Sequence, residues 1–186
     1  MIGAEFASLL ASAQGGDEVA FTAIFRDVQP ALLRYLRVIA PGSADDVAAD
    51  TWEHVLSGLV KFRGEEPAFR AWLFTIARHR AVDLGRARAR RRTVSLEGSG
   101  ALEGSRLTAP DAADVALDRL ATQAALAMVA TLPRDQAEII LLRVVAGLDA
   151  QQVARIVGKS PGAVRVAAHR GLRRLAQLAK RADVTI

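Results

Sequence analysis

The sequence predicts an all-α protein of two small helical domains joined by a flexible linker, and three observations predict it. Apolar residues recur at three- and four-residue spacing through most of the 186 residues, and alternating strand-like runs are missing. Aromatic residues make up only 5% of the chain, while alanine, leucine, valine and arginine dominate, a composition that suits small helical cores. The stretch 93–113, TVSLEGSGALEGSRLTAPDAA, loses the periodicity and gathers Gly, Ser, Thr and Pro. It is too long for an ordinary connection inside a compact domain, so it is read as a linker between residues 1–92 and residues 114–186.

Gly15-Gly16-Asp17 precedes a helical run whose apolar face is Phe21, Ile24, Phe25, Val28, Leu32, Leu33, Tyr35 and Leu36. Pro41-Gly42-Ser43 breaks the chain, and Ser43 or Asp45 caps the next helix, DDVAADTWEHVLSGLVKF. Asp45, Asp46, Asp50 and Glu53 make its first half acidic. Carboxylates near a helix N-terminus are favourable by ~0.3–1 kcal/mol each, so part of this cluster serves the helix itself. The remainder suits docking on a basic partner surface, with Trp52 and Val55 as apolar anchors.

After the turn signals Arg63-Gly64 and Pro67, a third helix carries Phe69, Trp72, Leu73 and Ile76 on its core-facing side. Arg70, Arg78, His79, Arg86 and Arg90 fall off that side. Between Lys61 and Arg92 there are ten Lys and Arg against three Asp and Glu, a field that attracts a polyanion and weakens with salt.

Helical periodicity returns from Asp114 to Ala130, and Leu132-Pro133 introduces a further helix, RDQAEIILLRVVAG, with Ile139, Ile140, Leu142, Val144 and Val145 as core. Asp149 and Gln152 form a capping-box pattern for AQQVARIVG, which Gly158 closes. Ser160 is the expected N-cap and Pro161 the first residue of PGAVRVAAHRGLRRLAQLAKR. Two short helices around a Gly-containing turn, the second strongly basic, have the form of a helix-turn-helix. In that reading Val153, Ile156, Val157, Val164 and Leu172 hold the pair together and Arg165, His169, Arg170 and Arg173 face outward.

Charge is segregated along the chain. Residues 1–60 hold three basic and eight acidic groups, and 155–181 eight basic and none acidic. Two cationic blocks separated by acidic sequence suit a protein that meets nucleic acid at two places and another partner elsewhere. The absence of cysteine excludes disulfides, thiol catalysis and zinc knuckles. His54, His79 and His169 stand apart without a ligand pattern, so neither a metal nor another cofactor is expected. No nucleophile, glycine-rich cradle or second carboxylate motif accompanies the acidic cluster, which argues against an enzyme. The start MIGAEFASLL lacks a basic n-region and no apolar run approaches ~20 residues, so a cytoplasmic chain without membrane insertion is expected.

The ordered combination of segments resembles the extracytoplasmic-function group of bacterial RNA polymerase sigma factors, which retain the second and fourth sigma domains. AFTAIFRDVQPALLRYLRVIA resembles the first conserved segment of the family, and ADDVAADTWEHVL its polymerase-binding helix. FRGEEPAFRAWLFTIARHRAVDLGRARARR is similar to the segment that opens and reads the minus-ten element. LPRDQAEIILLRVVAGLDAQQVARIVGKSPGAVRVAAHRGLRRL is similar to the fourth domain, which contacts the polymerase flap and reads the minus-thirty-five element.

The resemblance implies an alternative sigma factor that binds core RNA polymerase and directs promoter-specific initiation without covalent chemistry. Residues 1–92 would be the second domain and 114–186 the fourth. Asp45, Asp46, Asp50, Thr51, Trp52, Glu53 and Val55 would meet the coiled coil of the beta-prime subunit, and the fourth domain the beta flap. Phe62, Arg63, Gly64, Trp72, Arg78, His79 and Arg86 would capture the minus-ten strand; an aromatic ring or imidazole stacks on an extruded base while cations hold the phosphates. Ser160, Pro161, Gly162, Arg165, His169, Arg170 and Arg173 would meet minus-thirty-five duplex. His79 stands where asparagine is common in the family, and Val166 and Ala167 where polar or basic residues are frequent. An anti-sigma protein is the further partner that the family implies. The competing reading, a stand-alone helix-turn-helix regulator, leaves the acidic helix and the Phe62 to Arg92 segment without a role.

Overall fold

The computed structural model describes residues 1–94 and 114–183, and all regular structure among them is helical. After a 3₁₀ turn at Gly3–Glu5 come α1 (Phe6–Gln14), α2 (Glu18–Ile39), α3 (Ala44–Leu59) and α4 (Glu66–Val94). The second half holds α5 (Asp114–Ala130), α6 (Arg134–Ile140), a π-helical turn at Leu141–Val145, α7 (Ala150–Val157) and α8 (Pro161–Asp183). Helix α4 therefore runs two residues into the expected linker, the rest of which lies outside the described residues.

Local chemistry explains most boundaries. Asp17 starts α2 by accepting hydrogen bonds from the Val19 and Ala20 amides. The carboxylate of Asp149 accepts from the Gln151 and Gln152 amides while the Gln152 side chain accepts from the Asp149 amide, a complete capping box. Asp149→Ala is expected to lower stability by ~1 kcal/mol, read as a fall in the thermal midpoint. Ser43 differs from expectation. It occupies the N-cap position of α3, but its buried hydroxyl makes no cap bond and finds no partner among the described residues. Pro67, expected as a turn signal before the helix, sits instead in the first turn of α4, where its missing N–H is one that no helical carbonyl would have bonded.

The first four helices pack around α2 and α4. Ile24, Val28, Leu32 and Leu36 of α2 are buried with Phe69, Leu73 and Phe74 of α4. Helix α1 adds Phe6, Leu10 and Ala13, an i, i+4, i+7 face that puts Phe6 5.5 Å from the Phe69 ring. Gly58 lets α3 approach α4, since a Cβ there would lie 2.8 Å from the Trp72 ring.

In the second half, α6 is not continued as an α-helix. The Ala146 amide bonds to the Leu141 carbonyl five residues back, and the turn this makes keeps Leu141 and Leu142 inside and turns Val144 out. Val144 is 65% exposed, which corrects its assignment to the core. Helix α8 buries Val164 and Gly171, with Ala167, Ala168 and Leu175 half-buried on the same side. Leu172 lies one position off this stripe and is exposed; the close approach is made instead by Gly171, where a Cβ would stand 2.5 Å from Ile140 Cδ1.

The two halves share one continuous core. Helix α2 touches α5, α6 and the π-turn, and α4 touches α7. Arg70, expected on the outer side of α4, is buried between them: its Nη1 pairs with Asp27 at 3.2 Å and its Nε donates to the Ala146 carbonyl. Gln152 Nε2 donates to the Pro67 carbonyl at 2.9 Å. Tyr35 is fully buried against Phe74, and its hydroxyl donates to Glu138 Oε1 at 3.0 Å.

Candidate nucleic-acid and partner interfaces

Helix α3 presents an acidic face and hides its aromatic one. Asp45, Asp46, Asp50 and Glu53 are exposed. Thr51, Trp52 and Val55 are buried, so none of the three offers surface to a partner. Thr51 bonds back to the Val47 carbonyl, Val55 is wholly enclosed, and the Trp52 indole donates to Gln29 and packs on Phe21 and Phe25. An acidic helix invites apolar anchors for a partner, but the core claims these side chains instead. The large exposed apolar residues of this helix and its end are Leu56 and Val60, which continue the Asp46, Asp50, Glu53 line at helical spacing.

The loop before α4 is fixed by its backbone. The Phe62 carbonyl accepts from Gln14 Nε2 at 2.9 Å and from Arg63 Nη1 at 2.7 Å. Gly64 has φ of 151°, and a Cβ on it would be 3.1 Å from both the Phe62 ring and Ala68, so glycine is needed for backbone and packing alike. Phe62 stacks on Trp72 with centroids 5.1 Å apart and planes 19° from parallel, and Phe69 closes the cluster edge-on. Phe62 and Trp72 are half-buried and keep part of their surface in solvent.

Trp72, His79 and Arg86 follow one another at seven-residue intervals, which places them along one side of α4. His79 and Arg86 are exposed, and Arg86 makes only a long surface pair with Asp83 at 3.8 Å. Arg78 is not with them. It points toward the second half, where its Nε donates to Glu138 Oε1 at 2.9 Å. Glu138 thus receives both Arg78 and Tyr35; burial, followed by the adjacent carboxylate, pushes the Tyr35 phenol well above its usual range and keeps it a neutral donor.

The turn between α7 and α8 is closed by Gly158 at φ 68°, with the Lys159 amide bonded to the Ala154 carbonyl. Lys159 Nζ pairs with Asp135 at 2.7 Å, and that hydrogen bond holds the Asp135 carboxyl below its ordinary value. Ser160 Oγ accepts from the Ala163 amide, Pro161 opens α8, and Gly162 is exposed. Arg165, His169, Arg170 and Arg173 are all exposed on the side of α8 opposite Val164 and Gly171, and Val166, half exposed, lies among them.

Among the described residues no group of three or more His, Cys, Asp or Glu could hold a metal ion, and no helix is long and apolar enough to cross a membrane.

An exposed basic second helix after a tight turn, with a separate cationic helix, is the form of a helix-turn-helix DNA-binding protein. Residues 24–92 match sigma-70 region 2 and residues 122–175 match sigma-70 region 4, and the chain belongs to the extracytoplasmic-function sigma factors of this family. It is 35% identical to the ECF sigma factor SigD of Mycobacterium tuberculosis, over 94% of this chain and 84% of that protein. It is 36% identical to ShbA of Streptomyces griseus, over 93% and 94%. Among solved structures it is similar to the sigma factor RpoE of Bartonella quintana in complex with the anti-sigma factor NepR. That likeness has a TM-score of 0.63 at 25% identity and covers 86% of this chain and 96% of that one. The fold is also that of CnrH in complex with the cytosolic domain of CnrY (TM-score 0.61, 24% identity, covering 93% and 96%). The chain is an alternative sigma factor: a DNA-binding initiation factor that directs promoter-specific transcription.

Proposed function

We propose that the three exposed faces divide the work of initiation. Asp46, Asp50 and Glu53, with Asp45 at the helix start and Leu56 and Val60 beside them, dock on the coiled coil of the polymerase beta-prime subunit. The half-exposed Phe62 and Trp72 rings, Arg63 and Gly64 of the loop, His79 and Arg86 hold an unstacked minus-ten strand, to which Arg78 adds a phosphate contact. The Ser160 to Gly162 helix start and Arg165, His169, Arg170 and Arg173 meet minus-thirty-five duplex, while the rest of residues 114–186 contacts the beta flap. Residues 1–92 and 114–186 act as the second and fourth sigma domains, and nucleotide transfer is left to polymerase in the cytoplasm. The observation that carries this reading is the separation of exposed charge: carboxylates on α3 and cations on α4 and α8, each on its own surface.

An anti-sigma protein completes the set of partners. The likeness, over 86% of this chain, to a sigma factor solved with NepR supports it.

Charge complementarity at α3 sets both rate and register of docking. Asp50→Lys, at an exposed position of α3, is expected to weaken core-polymerase binding about tenfold, measured by titration against labelled core enzyme. Parental affinity in a folded variant would remove α3 from the polymerase interface.

A further inference from the structure

We infer that Glu138 is an intramolecular latch: by taking Arg78 and Tyr35 it holds the two halves closed, in a state that competes with promoter binding. The inference rests on the assignment of α4 and α8 to the two promoter elements.

Glu138 belongs to α6 of the second half, yet its side-chain partners, Tyr35 on α2 and Arg78 on α4, both lie in the first. Its carboxylate is only 10% exposed. A carboxylate withdrawn from water to that degree is costly unless paired, and losing one partner leaves the others unsatisfied. Across the same junction Arg70 reaches the Ala146 carbonyl and Gln152 reaches the Pro67 carbonyl, so these four links among the described residues join α2 or α4 to α6, α7 or the end of the π-turn. These links make the junction specific, while the apolar surface that α2 and α4 share with the second half adds to what opening must expose.

Size makes opening obligatory. A compact chain of this length has a radius of gyration of ~16 Å and hence a diameter of about 40 Å. Centres of elements at minus ten and minus thirty-five are about 25 base pairs, or roughly 85 Å, apart along duplex at ~3.4 Å per pair. A closed chain reads one element at a time. Closure also removes a cation from the minus-ten surface, because Arg78 Nε is committed to Glu138 at 2.9 Å. His79 and Arg86 on α4 and the α8 cations stay exposed, so the closed form keeps a first encounter with DNA and loses simultaneous grip on both elements.

The chain has no cysteine, so Val19→Cys and Gln177→Cys at exposed positions of the two halves give a defined dye pair in the full-length protein. Glu138→Gln removes the charge, and Tyr35→Phe removes one donor while keeping the ring against Phe74. Energy transfer is expected to fall in both. Affinity for a single-stranded minus-ten oligonucleotide is expected to rise about three- to tenfold, as the competent fraction grows. Adding that oligonucleotide to the parent should lower transfer as well. Parental transfer and affinity in both variants, with folding verified by circular dichroism, would overturn the latch. So would lowered transfer without a gain in affinity. If no variant, nor the parent, binds the oligonucleotide, the minus-ten assignment itself fails, whatever the transfer shows.

Discussion

Phe62→Ala is expected to reduce affinity for premelted promoter DNA by about five- to hundredfold, the range that corresponds to ~1–3 kcal/mol for one base on an aromatic ring. The ring stacks 5.1 Å from Trp72 and closes over Gly64, so its loss removes a stacking surface and loosens the loop that frames it. His79→Ala provides the cleaner comparison. It is exposed, one helical stripe along from Trp72, and its removal leaves the aromatic cluster untouched. Both variants should bind poorly even when the DNA is already open, because the defect lies in holding the strand. Recovery to parental affinity on premelted DNA would show that these residues act in opening alone.

Arg165→Ala is expected to lose ~1–3 kcal/mol of discrimination between the cognate minus-thirty-five element and a scrambled one, roughly a five- to hundredfold fall in the specificity ratio. A phosphate-contacting arginine behaves differently. Its loss weakens all sequences alike and lowers the salt slope by about one. Arg170 and Arg173 can be sorted from Arg165 by the same titration over sequence and salt. Randomising the minus-thirty-five element identifies the bases read; an unchanged preference in Arg165→Ala would mean that the exposed side of α8 is not the reading side.

Periodicity, punctuation and charge made much of this legible from residues alone. Asp17, Asp149, Gly158 and Pro161 stand where the chain chemistry of helix ends requires them. Helix α1 is also legible, in the helical spacing of Phe6, Leu10 and Ala13. What sequence could not carry is contact between the halves. Arg70 looks like a surface cation until Asp27 and the Ala146 carbonyl are placed around it, and Arg78 looks free for DNA until Glu138 arrives from 60 residues away. Trp52 and Val55 were assigned outward because an acidic helix invites apolar anchors, whereas α2 claims them for the core. The π-turn after α6 has no sequence signature in helical periodicity, and it alone decides that Val144 faces water.

The central claim is that this chain acts through polymerase, with α3 as its docking face and α4 and α8 as its DNA-reading helices. Reconstituted transcription tests it most directly: core RNA polymerase, this protein, and a template carrying a promoter mapped from polymerase bound through it. The account predicts a discrete transcript that depends on the protein, falls with Asp50→Lys, and is lost when either promoter element is scrambled. A protein that binds the same duplex tightly without polymerase, and adds no specific transcript when core enzyme is supplied, would contradict it.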